Sequence, residues 1–265
     1  MSTIQSSERK PKMTGNYNRL INNLEELKLH QFRDSLPRYL SEMESGEKDI
    51  VDALYELTEL EKARRLERMI HSCVKTAAFP FLKEISDFDF SFQPSVDKGE
   101  ILELSTLNFI QANENVIFCG TPGTGKTHLS VSLGIEAAKN HFSTYFINCQ
   151  DLIEQLKQAA RENRLDAKLK HYGRYRLLII DEIGYLNLDS TAANLLFQLI
   201  NRRYEKKSTI ITTNISFSGW GDLFGDAITA NAILDRILHH CHVISINGPS
   251  YRTRHILELK ETRND

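Results

Sequence analysis

Cysteine is scarce in this sequence, and the few cysteines lie far apart. Cys73, Cys119, Cys149 and Cys241 form no C-x-x-C pair, which argues against a zinc ribbon or a disulfide framework and for a reducing compartment. The polar N-terminus lacks the apolar core of a signal peptide. No run approaches the roughly 18 apolar residues that a membrane span needs. We therefore expect a soluble, cytoplasmic protein without a membrane partner.

A strong net charge is also lacking. The 265 residues carry a net charge of −2, with 26% charged and 41% hydrophobic residues, as in an ordinary globular protein. Without a global basic field, a nucleic-acid partner would have to bind through local patches. The length is sufficient for about two domains, or for one large domain with an appendage.

The N-terminal third is predicted to be helical. Residues 1–16 are polar and are expected to form a disordered tail, followed by a small all-α module over 17–82. Apolar residues at helical spacing predict a first helix, a turn at 44–49, and a second helix that continues past Met69 and stops before Pro80. The apolar positions of the first helix are Leu20, Leu24, Leu27, Phe32, Leu36, Leu40 and Met43.

The rest of the chain is predicted to be a linker over 83–99 and a second domain over 100–265. The linker contains alternating aromatics, a proline and a glycine. After a short helix near 100–111, strand-like segments alternate with helical ones, which predicts an α/β fold with helices on both faces of a parallel sheet. The candidate strands are 115–119, 144–149, 177–181, 208–213 and 243–246.

A glycine-rich loop follows the first of these strands. The stretch GTPGTGKTH, residues 120–128, contains the full G-x-x-x-x-G-K-[ST] pattern between a strand and a helix. In this pattern, backbone N–H groups and the helix N-terminus surround phosphates. We expect Lys126 to reach the β- and γ-phosphates and the Thr127 hydroxyl to ligate Mg²⁺. The predicted nucleotide site comprises Gly120, Thr121, Pro122, Gly123, Thr124, Gly125, Lys126, Thr127 and His128.

An acidic pair ends the third strand, in the stretch LLIIDE. Asp181 is placed at the carboxyl edge of the sheet, where ligands bind in open α/β folds. We expect Asp181 to hold Mg²⁺, directly or through water, and Glu182 to polarise the attacking water as a general base. The structural alternative is that Glu182 caps the next helix, and its position directly after the strand favours catalysis.

The stretch DEIG, residues 181–184, also fits the D-x-x-G pattern of GTP-binding proteins. A GTPase would need an N-K-x-D element downstream to recognise guanine, and the sequence has none. The fourth strand ends instead in TIITTN, which places Asn214 at the sheet edge beside the phosphate site. A polar side chain there can orient the lytic water. We therefore expect ATP and Mg²⁺ as the cofactors.

Together, the stretches GTPGTGKT, LLIIDE, TIITTN, AILDRILHH and SYR resemble the AAA+ ATPases. The resemblance is closest to the IstB/DnaC branch, which comprises transposition helper ATPases and helicase loaders, and it covers roughly residues 20 to 260. It implies a five-stranded parallel sheet in the order 5-1-4-3-2. Because few residues follow the last strand, it also implies that a separate helical lid is absent.

The resemblance further implies roles for two arginines. Arg236 matches the arginine finger, which is offered to the ATP of a neighbouring subunit, and Arg252 matches an arginine that reaches the γ-phosphate of its own subunit. An added guanidinium stabilises the charge that develops on the phosphate oxygens in the transition state. From the residues alone, Arg236 could be a solvent-facing helix charge, and Arg252 could belong to a surface ion pair.

A basic segment provides candidate DNA contacts. Residues 157–176 contain seven Lys/Arg and two acidic residues, and the first four cations are spaced as on one helical face. Such a face can neutralise phosphates, although a solvated helix explains the same pattern equally well. The candidates are Lys157, Arg161, Arg164, Lys168, Lys170 and Arg174. The stretch HHCH at 239–242 lacks metal-ligand spacing and predicts no metal site.

The stretches LHH and YEKKSTIITTN favour the transposition helper within this branch. Such a protein would form a homo-oligomer, as a ring or a helix, on double-stranded DNA, remodel the target, and recruit or activate a cognate transposase. Two alternatives stay open. One is a helicase loader of the DnaC type, which should prefer single strands. The other is a structural DNA clamp in which ATP serves mainly as an assembly ligand.

Overall fold

The structure is a computed structural model that describes residues 15–185 and 188–253. Most of the predicted disordered tail therefore lies outside the described residues, as does the end of the chain from residue 254. The chain forms two compact units, one ending at Met69 and one beginning at Ile70. No described helix is both long enough and apolar enough to cross a bilayer.

The first unit is built from α1 (Gly15–Glu26), α2 (His30–Glu44) and most of α3 (Ile50–Thr76), whose end beyond Met69 belongs to the second unit. The prediction of one continuous helix up to the turn at 44–49 is wrong. The chain reverses at Lys28, which has a positive φ of 56°, and the Leu29 N–H donates to the Leu24 carbonyl at 2.8 Å. The second predicted helix, which continues past Met69, is confirmed and corresponds to α3. The buried core of this unit comprises Leu24, Leu36, Tyr39, Ala53 and Leu57.

A buried acid stabilises the start of α2. The N-cap residue of this helix, Leu29, makes no side-chain cap. Instead, Glu61 from α3 accepts hydrogen bonds from the N–H groups of Gln31 (2.7 Å) and Phe32 (3.2 Å). Burial opposes the charged form of Glu61, but these two donors and Arg65 outweigh it and hold the pKa of the carboxyl below its ordinary value. The negative charge also suits the positive end of the helix dipole.

The second unit contains a five-stranded sheet in which all neighbouring strands are parallel. Its spatial order is β2-β3-β4-β1-β5, so the order implied by the resemblance is confirmed. All five predicted strands are present. They are β1 (Asn115–Gly120), β2 (Thr144–Asn148), β3 (Leu177–Ile183), β4 (Ser208–Thr213) and β5 (Cys241–Ile246).

Eight helices accompany the sheet in the described part of this unit. The short helix predicted near 100–111 is two helices, because Leu107 adopts a positive φ of 65° between them. The preceding segment is not uniformly extended, since Ile85–Asp87 form a 3₁₀ turn. The helices are α4 (Lys98–Ser105), α5 (Asn108–Gln111), α6 (Lys126–Lys139), α7 (Cys149–Arg161), α8 (Leu165–Gly173), α9 (Ser190–Arg203), α10 (Trp220–Phe224) and α11 (Ala227–Leu238).

The strands are buried on both faces, which confirms the α/β class. Alternate residues of β3 enter different cores, since Ile180 packs with α7, α9 and α11 whereas Ile179 packs with α4, α5 and α6. This follows from the two-residue period of a strand. Each fully buried aliphatic side chain contributes roughly 1.5–3 kcal/mol, so these two layers fix the strand ends on which the site is built.

A buried arginine joins α9 to the sheet. Arg203 is 1% exposed, and burial lowers the pKa of its guanidinium to about 9. It donates to the carbonyls of Tyr172 and Tyr175, both at 2.9 Å, to the Ser208 carbonyl, and to the Thr209 hydroxyl at 3.0 Å. Arg203 thus satisfies backbone carbonyls at the end of α8 and at the starts of β3 and β4.

Candidate nucleotide-binding site

The glycine-rich loop leaves β1 and enters α6, as predicted. Gly123 and Gly125 have φ values of 81° and 102°, which favour glycine. An added Cβ would lie 2.0 Å from the Ser250 Oγ at Gly123 and 2.5 Å from the Phe88 ring at Gly125. The N-cap residue of α6 is Gly125, which has no side chain with which to cap the first N–H groups of the helix. The loop and the helix N-terminus therefore present backbone donors of the kind that bind phosphate.

Lys126 is held against this loop. Its Nζ donates to the carbonyls of Gly120 and Thr121, both at 2.7 Å. Burial is the main cause that lowers the pKa of Lys126, and the nearby Asp181 carboxylate opposes this shift. The two loop carbonyls thus hold the ammonium group at the phosphate loop, where it can bind phosphate oxygens.

Thr127 and Asp181 form the candidate magnesium site. The Thr127 hydroxyl lies 3.0 and 3.2 Å from the two carboxylate oxygens of Asp181, and the Thr212 hydroxyl donates to the same carboxylate at 2.6 Å. Burial raises the pKa of Asp181, against the effect of these two hydroxyls. A hydroxyl and a buried carboxylate side by side are oxygen ligands that Mg²⁺ prefers, so the residues present fit this ion.

Glu182 occupies a strained position at the end of β3. Its backbone has a positive φ of 63°, and the register with β4 shifts between Ile180 and Ile183. The Glu182 N–H leaves the ladder and donates to the Thr212 Oγ1 at 2.8 Å. This irregularity directs the Glu182 side chain to solvent while Asp181 stays buried. Left-handed non-glycine residues are uncommon and concentrate at functional sites.

Asn148 at the end of β2 contacts Glu182. Its Nδ2 donates to the Glu182 Oε2 at 2.8 Å, and its Oδ1 accepts from the Gln150 N–H at 2.9 Å, so that it also caps α7. Neither Asn148 nor Thr212 was predicted as a site residue from the sequence. Their positions at the ends of strands adjacent to β3 were a usable signal, since parallel strands end at the same edge of a sheet.

A cleft of about 240 Å³ lies beside the phosphate loop. Glu182, Asn214 and Arg252 all line it, so the structure brings three predicted catalytic residues from separate parts of the chain together. The cleft lining from the loop and α6 comprises Pro122, Gly123, Thr124, Gly125, Lys126, Thr127 and His128. That Glu182, Asn214 and Arg252 act in catalysis remains a prediction.

The segment before α4 forms another wall of the cleft. Phe81, Phe88 and Gln93 line it, and the Phe88 ring lies edge-on to His128 with the ring centres 5.4 Å apart. The His128 Nε2 is 3.1 Å from the Glu84 carbonyl, and burial is the main cause that lowers its pKa. His128 therefore positions this segment on α6 as well as lining the cleft.

The segment after β5 completes the site. The Tyr251 N–H donates to the Gly123 carbonyl at 2.9 Å, and the Gln93 Nε2 donates to the Pro249 carbonyl at 2.7 Å. These bonds attach one segment to both the phosphate loop and the wall before α4. They also place Arg252, in the 3₁₀ turn Tyr251–Thr253, at the cleft.

Arg236 lies outside this cleft, on α11. Its Nε donates to the Asn201 Oδ1 at 3.0 Å and its Nη1 to the Ala232 carbonyl at 2.9 Å. The guanidinium carbon is 4.8 Å from the centre of the Phe197 ring. The side chain is half-buried and oriented on the surface formed by α9 and α11.

The basic segment is not one helix. α7 ends at Arg161, Asn163 adopts a positive φ of 55°, and α8 begins at Leu165. The Arg164 N–H donates to the Ala159 carbonyl at 2.8 Å, which closes the end of α7. The prediction that four cations share one helical face is therefore wrong, because the helix axis is interrupted between them.

The candidate DNA contacts differ in their partners. Lys157 pairs with Asp189 at 2.6 Å, Lys170 pairs with Asp166 at 2.8 Å, and Arg164 pairs with Glu162. Arg161 is exposed and has no acidic partner within the described ranges. Lys168 and Arg174 lie over the rings of Tyr172 and Tyr175, both at 5.3 Å from the ring centre.

Two of the histidines in HHCH approach an acid from another element. A ring nitrogen of His239, one of His240 and a carboxylate oxygen of Glu205, which are the atoms that could ligate a metal, lie within 4.8 Å of one another. All three residues are exposed. The His239 Nδ1 is already 2.8 Å from the Tyr204 hydroxyl. Sequence spacing could not reveal this approach, because Glu205 follows α9 whereas the histidines follow α11.

The sequence matches the family model described as IstB-like ATP binding protein over residues 22–258. A similar protein is the insertion sequence IS232 ATP-binding protein of Bacillus thuringiensis subsp. berliner, 52% identical over 91% of this chain and 97% of the relative. The insertion sequence IS5376 ATP-binding protein of Geobacillus stearothermophilus is 45% identical over 80% of this chain and 84% of the relative.

Two solved structures resemble the fold. DnaI superposes with a TM-score of 0.53 at 19% identity and covers 66% of this chain and 93% of its own. AMPPCP-bound DnaA from Aquifex aeolicus superposes with a TM-score of 0.50 at 20% identity. The match covers 68% of this chain and 55% of the DnaA chain. At such identities the similarity concerns the fold alone, and it agrees with the predicted AAA+ architecture.

Proposed function

Because this chain belongs to the family of IstB-like ATP binding proteins, we propose that it is a transposition helper ATPase that assembles on double-stranded DNA. In this role it remodels the target and recruits or activates a transposase encoded by the same element. The insertion-sequence names of its relatives support this setting. Such a protein would act in the cytoplasm, where the DNA is.

The observation that carries the proposal is the convergence of Glu182, Asn214 and Arg252 on the cleft of the phosphate loop. The loop and Lys126 would bind the phosphates of ATP, and Thr127 with Asp181 would hold Mg²⁺. When bound, the ion would neutralise phosphate charge. Glu182 would accept a proton from the attacking water while Asn214 orients that water. Arg252 would contact the γ-phosphate.

Arg236 would complete the site of a neighbouring subunit. Its location outside the cleft of its own chain supports an action in trans. The contacts with Asn201, Ala232 and Phe197 keep the guanidinium in one orientation, which reduces the entropy lost when it meets a phosphate. An arginine finger supplied by a neighbouring subunit makes hydrolysis conditional on assembly. In related systems such an arginine raises the hydrolysis rate by roughly 10³–10⁵-fold.

The test is the ATPase rate as a function of protein concentration, with and without long duplex DNA, for wild type and Arg236→Ala. We expect the rate per subunit to rise with concentration and with DNA, and the variant to lose this rise while it still binds ATP. A flat rate and an unaffected variant would contradict the trans assignment.

DNA preference separates the helper from a helicase loader, and dependence on hydrolysis separates it from a structural clamp. A helicase loader of the DnaC type should bind single strands more tightly than duplex. A structural clamp should retain its function on DNA when hydrolysis is abolished. We therefore expect duplex preference, together with loss of transposase activation in a variant that binds ATP but does not hydrolyse it.

A further inference from the structure

Thr212 places a buried hydroxyl between the two acidic residues at the end of β3. The residue is 1% exposed. Its Oγ1 donates to the Asp181 Oδ1 at 2.6 Å and accepts a hydrogen bond from the Glu182 N–H at 2.8 Å. Because a hydroxyl has a single hydrogen, the bond to the carboxylate leaves the oxygen free to accept from the N–H. One side chain of β4 thus holds both acidic residues.

The bond to Asp181 orients the candidate magnesium ligand. Asp181 is 5% exposed, and a buried carboxylate is stable in its charged form only where hydrogen-bond donors satisfy it. The hydroxyls of Thr127 and Thr212 both donate to it. Thr127 belongs to the candidate magnesium site, so its oxygen would become a ligand. Thr212 comes from a neighbouring strand and is the donor that can stay on Asp181 with and without the ion.

The bond to Glu182 holds an uncommon backbone conformation. Glu182 has a positive φ of 63°, and the register between β3 and β4 shifts between Ile180 and Ile183. Such a conformation persists only where its surroundings fix it. The Thr212 Oγ1 provides the acceptor for the displaced Glu182 N–H. It therefore helps to determine the direction in which the Glu182 side chain leaves the sheet.

Packing alone does not require a hydroxyl at this position. β4 is buried along its whole length, and the two residues before Thr212, Ile210 and Ile211, are aliphatic. Valine has nearly the shape of threonine and the β-branched side chain that strands favour. Threonine adds one donor and one acceptor, and both are used on the acidic pair.

We propose that Thr212 is a positioning residue that couples the magnesium ligand to the general base. Its hydroxyl orients Asp181 for the ion and fixes the backbone of Glu182 for the attacking water. This inference rests on the proposed function, since it requires Mg²⁺ and ATP hydrolysis at this site. Thr212 acts through the two acids and not through a contact with the nucleotide. Its removal should therefore weaken the binding of Mg²⁺ and also slow hydrolysis.

The experiment compares wild type with Thr212→Val in two measurements on the full chain. In the first, Mg²⁺ is titrated by calorimetry into the metal-free complex with AMPPNP, with protein in excess, so that no turnover is needed. We expect the dissociation constant of Mg²⁺ to rise at least about fivefold. In the second, kcat is measured at saturating ATP and Mg²⁺, and we expect it to fall at least about tenfold. The affinity for AMPPNP in EDTA should stay within about twofold, because the phosphate loop is unchanged.

Two variants separate positioning from stability. Thr212→Ser keeps the hydroxyl and should bring both quantities to within about threefold of wild type. Thr209→Val is the matched control, because Thr209 is also buried in β4 and its Oγ1 accepts a hydrogen bond from Arg203 at 3.0 Å. It lies at the other end of the strand and should lower thermal stability without changing either quantity. Unchanged values in Thr212→Val, equal losses in Thr209→Val, or a Thr212→Ser as impaired as Thr212→Val would each overturn the inference.

A third variant serves if Thr212→Val does not fold. The thiol of Thr212→Cys is a weak donor, so both quantities should be worse than in Thr212→Ser by at least about threefold. Equal values in these two variants would overturn the inference. Failure of the proposed function gives a different result, because wild type itself would then bind no AMPPNP or hydrolyse no ATP. An active wild type with unaffected variants refutes the role of Thr212 alone.

Discussion

The side-chain amide of Asn148 donates to the Glu182 carboxylate at 2.8 Å and thereby links the ends of two neighbouring strands. This bond occupies one of the two carboxylate oxygens with which a general base would accept a proton. Its loss should leave both oxygens free and make the Glu182 side chain more mobile. We expect Asn148→Ser to raise the basal ATPase rate, measured without DNA, by about three- to tenfold, the equivalent of about one hydrogen bond.

Serine is the informative replacement because it can still cap α7, whereas it is too short to reach Glu182. Asn148→Ala removes both functions of the side chain and should also destabilise the fold by about 1 kcal/mol. A decrease in the basal rate of Asn148→Ser, at unchanged thermal stability, would show that the bond supports catalysis instead of restraining it.

Replacement of Glu182 tests the general base directly. Glu182→Gln keeps the shape of the side chain but cannot accept the proton, so we expect the hydrolysis rate to fall by about 10²-fold or more. Nucleotide affinity, measured by calorimetry, should stay within about twofold, because the loop and Lys126 are unchanged. Glu154→Gln, on the outer side of α7, is the matched control and should hydrolyse ATP at the wild-type rate.

DNA binding should depend on cations without an acidic partner. We expect Arg161→Ala to weaken duplex binding and to reduce the slope of log affinity against log salt by about 1, as for one phosphate contact. Lys157→Ala should change the slope much less, because Asp189 already neutralises that ammonium. Equal effects of the two substitutions, measured by fluorescence anisotropy over a range of salt, would place the DNA elsewhere.

Arg203 should be important for stability. Arg203→Met removes the N–H groups that donate to three backbone carbonyls and one hydroxyl at the end of α8 and the starts of β3 and β4. Buried carbonyls without a donor are costly. We expect a loss of about 3 kcal/mol in the free energy of unfolding. Arg202→Met changes an adjacent, more exposed arginine that pairs with Asp166 and should cost less than about 1 kcal/mol.

The cap formed by Glu61 predicts a pH dependence in the helical unit. Its folded pKa is depressed below the ordinary value of 4.5, so the stabilisation is present above that pH and is lost as the pH falls through the folded pKa. We expect Glu61→Gln to speed amide exchange at Gln31 and Phe32 near pH 7, an effect of about 1 kcal/mol.

The difference between wild type and Glu61→Gln should shrink as the pH falls below 4.5. Glu59→Gln is the control, because the ion pair of Glu59 among the described residues is with the exposed Lys62. A difference that stays constant down to low pH would mean that the carboxylate charge is not what stabilises α2.

The strands and the phosphate loop could be predicted because their signals are local. Buried runs such as residues 177–180 mark strands, and two of the catalytic candidates, Glu182 and Asn214, stand at strand ends. The order of the strands came from family resemblance. The breaks at Lys28 and Asn163 were missed, because neither residue is a glycine or proline and both adopt a positive φ.

Contacts between distant parts of the chain were also beyond the sequence. Nothing near Glu61 indicates that it caps a helix 30 residues earlier. Similarly, the bond between Gln93 and Pro249 spans 156 residues. Such pairs depend on how helices and loops pack, which periodicity does not encode.

The wall of the cleft that precedes α4 limits how far the chain can be shortened from its N-terminal side. The Ala77 carbonyl accepts a hydrogen bond from the Phe146 N–H at the edge of the sheet, and Phe81, Phe88 and Gln93 follow it along the cleft. A recombinant fragment that begins at residue 100 would lack these groups and one side of the nucleotide pocket. The shortest autonomous ATP-binding fragment should therefore begin upstream of Ala77, and a protease cut between Gln93 and α4 should release bound nucleotide.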